Sequence, residues 1–109
     1  MTNKNKTRTA IPKIVDMIVG EYQPSKIILF GSFAYGKPDR DSDVDLLVVS
    51  KKHLTYEDTY KIRRTCLKDL SIPVQLVCVT EKEFTETKDV IGGITYPANK
   101  YGKMLYEKP

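Results

Sequence analysis

A chain of 109 residues with a formal net charge of +4 has room for one domain and one modest core. It contains no run approaching the ~18 apolar residues of a membrane helix, and its first residues carry no apolar leader segment, so a cytoplasmic protein is expected. The two cysteines, Cys66 and Cys78, lack metal-ligand spacing and sit among apolar neighbours, which reads as small core residues rather than a disulfide.

In chain order, Lys4, Lys6 and Arg8 mark residues 1–9 as a flexible basic tail ahead of a domain over 10–109. Pro12 suits the first turn of a helix, and Ile14, Val15, Ile18 and Val19 recur with helical spacing, predicting an amphipathic helix over 10–21. Gln23-Pro24-Ser25 breaks it. Apolar residues then predict strands over 26–31 and 43–50. Thr55 is the expected N-cap of a helix reaching about Leu70, and Pro73 permits the start of a third strand running to Val79. Thr80 and Glu83 form a capping box for a short helix from Glu81. Gly92-Gly93 interrupts the chain, a last helix spans about 94–101, Gly102 stops it, and Met104 to Tyr106 are extended. Near-continuous apolar strands imply a sheet covered by helices on at least one face, in a single small α/β domain. Arg63, Arg64 and Lys68 lie on a predicted helix and read as a solvated face, with no interleaved aromatics of the kind that stack bases. His53, the single histidine, follows Lys51-Lys52 in a loop and is given no catalytic role. Tyr96, Tyr101 and Tyr106 are expected to pack within the monomer or line an interface between copies.

The chemistry concentrates between the first two strands. Gly31-Ser32 follows the first, and ten residues later Asp43-Val44-Asp45 opens the second. Gly31 has no side chain, so a phosphate can approach its backbone. A helix starting at Ser32 would aim N–H groups and the serine hydroxyl at that phosphate. Alone, Gly-Ser after a strand is weak evidence and reads first as an ordinary turn capped by serine. On a strand, residues i and i+2 share a face, so Asp43 and Asp45 project together while Val44 turns to the core. Two neighbouring carboxylates repel unless a cation lies between them. Mg²⁺, which favours hard oxygens and is commonly shared between carboxylates and substrate phosphates, fits that role. An acidic loop in which Asp39, Asp41, Asp43 and Asp45 merely alternate is the competing reading. A carboxylate pair opening an apolar strand at this distance after Gly-Ser favours a site for a nucleoside triphosphate and its metal.

Gly-Ser, ten residues, Asp-x-Asp resembles the signature of the DNA polymerase β-like nucleotidyltransferases. Gly36, Lys37-Pro38-Asp39 and Ser42-Asp43-Val44-Asp45-Leu46 are similar to the minimal (MNT-type) members. So are Val79–Phe84 and Gly102–Glu107, and the likeness covers about residues 10–107. It implies a mixed sheet with helices packed on it. Gly31, Ser32 and Ser42 would bind nucleotide, and Asp43 and Asp45 would hold Mg²⁺ and act in catalysis. The implied activity is transfer of a nucleoside monophosphate, AMP first among candidates, from NTP to a hydroxyl. The implied partner is a small helical HEPN protein, for which the MNT chain acts as antitoxin. A second copy of the chain is a further possible partner; direct nucleic-acid binding and membrane association are not expected.

The resemblance also implies a third carboxylate on the next core strand, where this chain has Gln75. Glutamine can coordinate through its carbonyl oxygen but carries no charge and cannot act as a base. A unit charge about 4 Å from a metal is worth on the order of 4 kcal/mol at an effective dielectric near 20. Loss of a general base costs ~10²–10⁴ in rate. Glu81 and Glu83 follow this strand and are expected to lie too late to substitute. Two readings stand: a transferase, and a nucleotide-binding antitoxin that silences its partner by contact.

Overall fold

Apolar runs at 27–30 and 46–49 become adjacent strands because each has two faces to bury. A computed structural model of the chain describes residues 3–36, 38, 42–66 and 73–109, with side chains from Thr9 onward except at Cys66. Its elements are α1 (Asn3–Tyr22), β1 (Lys26–Phe30), α2 (Ser32–Tyr35), β2 (Val44–Ser50), α3 (Tyr56–Cys66), β3 (Val74–Thr80), α4 (Glu81–Thr87), α5 (Thr95–Tyr101) and β4 (Lys103–Glu107). The described strands form one mixed sheet in the order β3-β2-β1-β4. β1 runs antiparallel to β2 and β4, whereas β2 and β3 are parallel and are joined through α3.

Helices cover both faces. On one face, Ile27, Leu29, Leu46 and Val48 pack with Ile14 and Ile18 of α1, Phe33 of α2 and Ile62 of α3. On the other, Ile28, Phe30, Leu47 and Val49 pack with Phe84 of α4 and Ala98 of α5. Ile18 and Ile62 are fully buried; each contributes about 1.5–3 kcal/mol by removing its side chain from water.

The expected ends mostly hold. Thr55 caps α3: its hydroxyl accepts the Asp58 N–H at 3.1 Å, and the Asp58 carboxylate accepts the Thr55 N–H at 3.0 Å. Thr80 and Glu83 make the same reciprocal pair at α4, both at 3.1 Å. Burial places Cys78 partly against the first core face, and it is unbridged. Residues 67–70 of the expected second helix, the side chain of Cys66, and Lys37, Asp39 and Asp41 lie outside the described residues.

Two expectations are corrected. The first helix begins at Asn3, not near residue 10, so Pro12 lies in its interior. Helical backbone there outruns the apolar periodicity that announces it, and Pro12 removes one N–H from the ladder. Gly102 does end α5, but with extended backbone (φ −78°, ψ 174°) rather than a left-handed cap. What demands glycine there is space: a Cβ would overlap the Ala98 carbonyl oxygen and lie 2.7 Å from the Leu29 carbonyl oxygen and from Ile28 Cγ2.

Candidate active site

The register of the sheet assembles the site. Phe30 of β1 stands opposite Asp45 of β2, and Asp45 stands opposite Gln75 of β3. Residues paired across a sheet share a face. This row therefore ends the face that carries Leu47, Val49 and α5. Gln75 thus occupies the position beside the aspartate pair where a third carboxylate was expected. The Val44 N–H donates to the Pro73 carbonyl at 3.0 Å, tying the starts of β2 and β3 together.

Gly31 adopts φ +74°, a conformation that favours glycine. Its hydrogens face Asp45: a Cβ here would overlap the Asp45 carboxylate oxygen and lie 3.2 Å from Cγ. The glycine therefore makes room first for the carboxylate, a contact that sequence reasoning did not contain. After it, α2 is a single turn, with the Ala34 and Tyr35 N–H groups bonded to the Gly31 carbonyl at 3.0 and 3.1 Å. Buried Phe33 and Ala34 pin this turn to the core. So short a helix has little dipole. What it presents is the half-exposed Ser32 at its first position.

Asp43 lies exposed one residue before β2, Asp45 is half-buried, and Ser42 precedes them, also half-buried. Burial, and secondarily the negative charge of Asp43, push the Asp45 carboxyl above the usual range for an aspartate. Among the described residues no lysine, arginine or histidine pairs with either aspartate. Two hard-oxygen donors on one open edge, mutually repelling and without a counter-charge, match what a Mg²⁺–phosphate complex needs. No cluster of three or more acidic, histidine or cysteine side chains suited to a metal occurs among the described residues.

Glu81 is not the substitute. β2 and β3 are parallel, so Glu81 lies beyond the end of β3 opposite Gln75, about six residues or ~20 Å along the strand. There it accepts a hydrogen bond from the Ser25 hydroxyl at 2.8 Å. Glu83 is engaged in the α4 cap. His53 is exposed after β2, far along the strand from Asp45.

Two aromatic arrangements have no counterpart in the sequence-based expectations. Tyr35 and Tyr101 stand edge to face, ring centroids 6.4 Å apart, at the Asp45 end of the sheet. On α3, exposed Tyr56 and Tyr60 do interleave the basic residues, with the Arg64 guanidinium 5.8 Å from the Tyr60 ring. The i, i+4, i+8 spacing of Tyr56, Tyr60 and Arg64 is the signal the sequence offers for it. Tyr106 packs partly against the first core face, as expected for packing within the monomer.

The family model described as "Nucleotidyltransferase domain" matches residues 11–95. Among solved structures, a Sulfolobus solfataricus protein assigned as a nucleotidyltransferase superposes with TM-score 0.64 at 17% identity, over 97% of this chain and 85% of that one. A toxin–antitoxin complex with AMP-PNP gives 0.65 at 21%, over 89% and 73%. A Shewanella oneidensis complex of a tri-AMPylated HEPN toxin with its MNT antitoxin gives 0.51 at 19%, over 97% and 71%. No curated protein matches. Among the described residues no helix is long and apolar enough to cross a membrane.

Proposed function

We propose that this chain, which belongs to the nucleotidyltransferase domain family, binds a Mg²⁺–nucleoside triphosphate at the Asp45 end of its sheet and acts as the MNT antitoxin of a HEPN-type toxin. The observation that carries this reading is the convergence of Gly31, Asp45 and Gln75 through strand register, with Asp43 and Ser32 alongside. When bound, the metal supplies charge neutralisation on the phosphates and polarises the phosphorus that is attacked. Asp43 and Asp45 hold it. Ser32, at the start of its turn, would reach phosphate oxygens, and Ser42 would flank them.

Transfer would make one bond, from the acceptor hydroxyl oxygen to the α-phosphorus. It would break the bond from that phosphorus to the β-phosphate oxygen, releasing pyrophosphate. The hydroxyl proton needs an acceptor, and Gln75 cannot take it. That supports a second reading, in which the nucleotide is held well and transferred slowly, and contact alone silences the partner. The relatives solved as complexes support a protein acceptor rather than a small one.

The decisive experiment starts from the gene adjacent to this one. If it encodes a HEPN-like protein, that protein is incubated with this chain, ATP and Mg²⁺, and its intact mass is followed with time. Added AMP units establish transfer. An unmodified but inhibited partner establishes the binding reading. An unaffected partner, together with absence of Mg²⁺-dependent ATP binding, refutes both.

A further inference from the structure

We infer that Tyr35 and Tyr101 form the resting place of the nucleotide base and bias the site toward purines. The inference rests on the nucleotide-binding reading above and extends it to substrate choice. Carboxylates, a metal and a serine turn recognise phosphates, which every nucleoside triphosphate shares. Choice among bases needs a separate surface, and π-faces are what bases stack on.

Position puts this pair beside the phosphate end. Tyr35 closes α2, and its N–H bonds the carbonyl of Gly31, the residue packed on Asp45. Tyr101 closes α5 and precedes Gly102, which is wedged against the Leu29 carbonyl. In register, Lys103 stands opposite Leu29, two residues before Gly31. The two tyrosines therefore reach the Gly31 turn from two different elements. α5 also covers the sheet face onto which Asp45 projects.

The rings stand at 89° to each other, forming an inside corner, and remain 50% and 54% exposed. A base stacked on one ring would turn its edge toward the face of the other, the edge-to-face geometry aromatic groups favour. Lys100 adds a positive charge: its Nζ donates to the Tyr96 hydroxyl at 3.1 Å and lies 5.4 Å from the Tyr101 ring centroid. Exposed Tyr56 and Tyr60 offer no equivalent, because α3 packs on the opposite face of the sheet. Purines present more stacking area than pyrimidines, which gives the corner its preference.

Calorimetry with Mg²⁺–ATP, Mg²⁺–CTP and Mg²⁺–tripolyphosphate, the last lacking a base, tests this. Tyr101→Ala is expected to weaken ATP about tenfold, weaken CTP less, and leave tripolyphosphate unchanged. Tyr101→Phe, which keeps the π-face, is expected to restore ATP affinity. The chain has no tryptophan, so ATP should also quench its tyrosine emission more than tripolyphosphate does, and Tyr101→Ala should remove the difference. Wild-type ATP affinity in both Tyr35→Ala and Tyr101→Ala would overturn the inference and leave the phosphate site standing. An equal loss for tripolyphosphate would overturn it by showing a structural effect. Failure of the natural protein to bind either ligand would refute the nucleotide-binding reading itself.

Discussion

The two ends of the sheet use similar residues to opposite effect. At the far end, Glu107 pairs with Lys26, Glu81 accepts from Ser25, and Glu83 closes the α4 capping box. Each carboxylate there is satisfied by a neighbour and stabilises local structure. At the near end, Asp43 and Asp45 are placed side by side with no described cation, and the Asp45 carboxyl is pushed up by burial and by its neighbour. Ser32 sits at the first position of a one-turn helix instead of holding a glutamate. A cavity of about 350 Å³ does lie at the far end, lined by Ser25, Lys26, Glu81 and Glu107. Its polar groups already bond one another. An opening marks where a ligand has room; uncompensated charge marks where one is wanted.

The largest effect that tests this contrast is on binding. Asp43→Asn with Asp45→Asn should remove Mg²⁺-dependent ATP affinity by at least a hundredfold in calorimetry, given on the order of 4 kcal/mol per charge. The unliganded protein should melt no lower, because like-charge repulsion is relieved. Lys26→Ala at the far end should leave binding alone and cost about 0–1 kcal/mol, as expected for a surface ion pair. A double mutant that unfolds, or that keeps its metal dependence, breaks the comparison.

Glycine substitutions sharpen it. Gly31 and Gly36 share positive φ, but only Gly31 faces a carboxylate; a Cβ at Gly36 meets nothing within 4 Å. Gly36→Ala, held in the left-handed region, should lose about 1–2 kcal/mol in denaturant titrations. Gly31→Ala should lose more, because its φ 74°, ψ −158° is essentially reserved for glycine and its Cβ would overlap the Asp45 carboxylate. Only Gly31→Ala should also lose nucleotide affinity, because Asp45 must swing aside. Gln75→Asp tests the missing charge: transfer of labelled AMP to a competent partner should rise at least ~10-fold. No change would mean that another group receives the proton.

Protonation gives the smallest expected effect. The Asp45 carboxyl titrates above its unfolded value of 3.8. A raised acid favours the folded state when protonated, so its contribution to stability falls as pH rises from 3.8 through the folded value. Metal binding runs the other way and should strengthen over that window. Carboxyl NMR titration should show the Asp45 midpoint moving down in Asp43→Asn, by less than burial alone leaves behind. A midpoint that does not move would place the two charges too far apart to share an ion.

Much of this architecture is legible in the residues themselves. The strands are readable because their apolar runs are too long for turns, and Asp43 and Asp45 stand out because carboxylates seldom open such a strand. Even Gln75 can be placed on its strand, and the register sets it opposite Asp45. The reason for Gly31 is only half visible, since its contact with Asp45 depends on β1 and β2 pairing. Gly102 reads as a conformational stop, whereas its need is room against β1. Tyr35 and Tyr101 carry no shared pattern, because two distant elements meet only when the sheet closes. α1 exceeds its apolar stripe because helical backbone continues without one.

The connection between β2 and β3 sets position 75 apart from the rest of the site. Gly31, Ser32, Asp43 and Asp45 all lie at the ends of, or between, two antiparallel neighbours, β1 and β2, whose connection includes α2. Position 75 joins them only after α3 has carried the chain across to a parallel strand, and its side chain is exposed near the margin of the sheet. An exchange of acid for amide there disturbs neither that strand pair nor the core beneath it. Of the three positions proposed to meet a metal, it is the one whose charge can change with the rest of the architecture left intact.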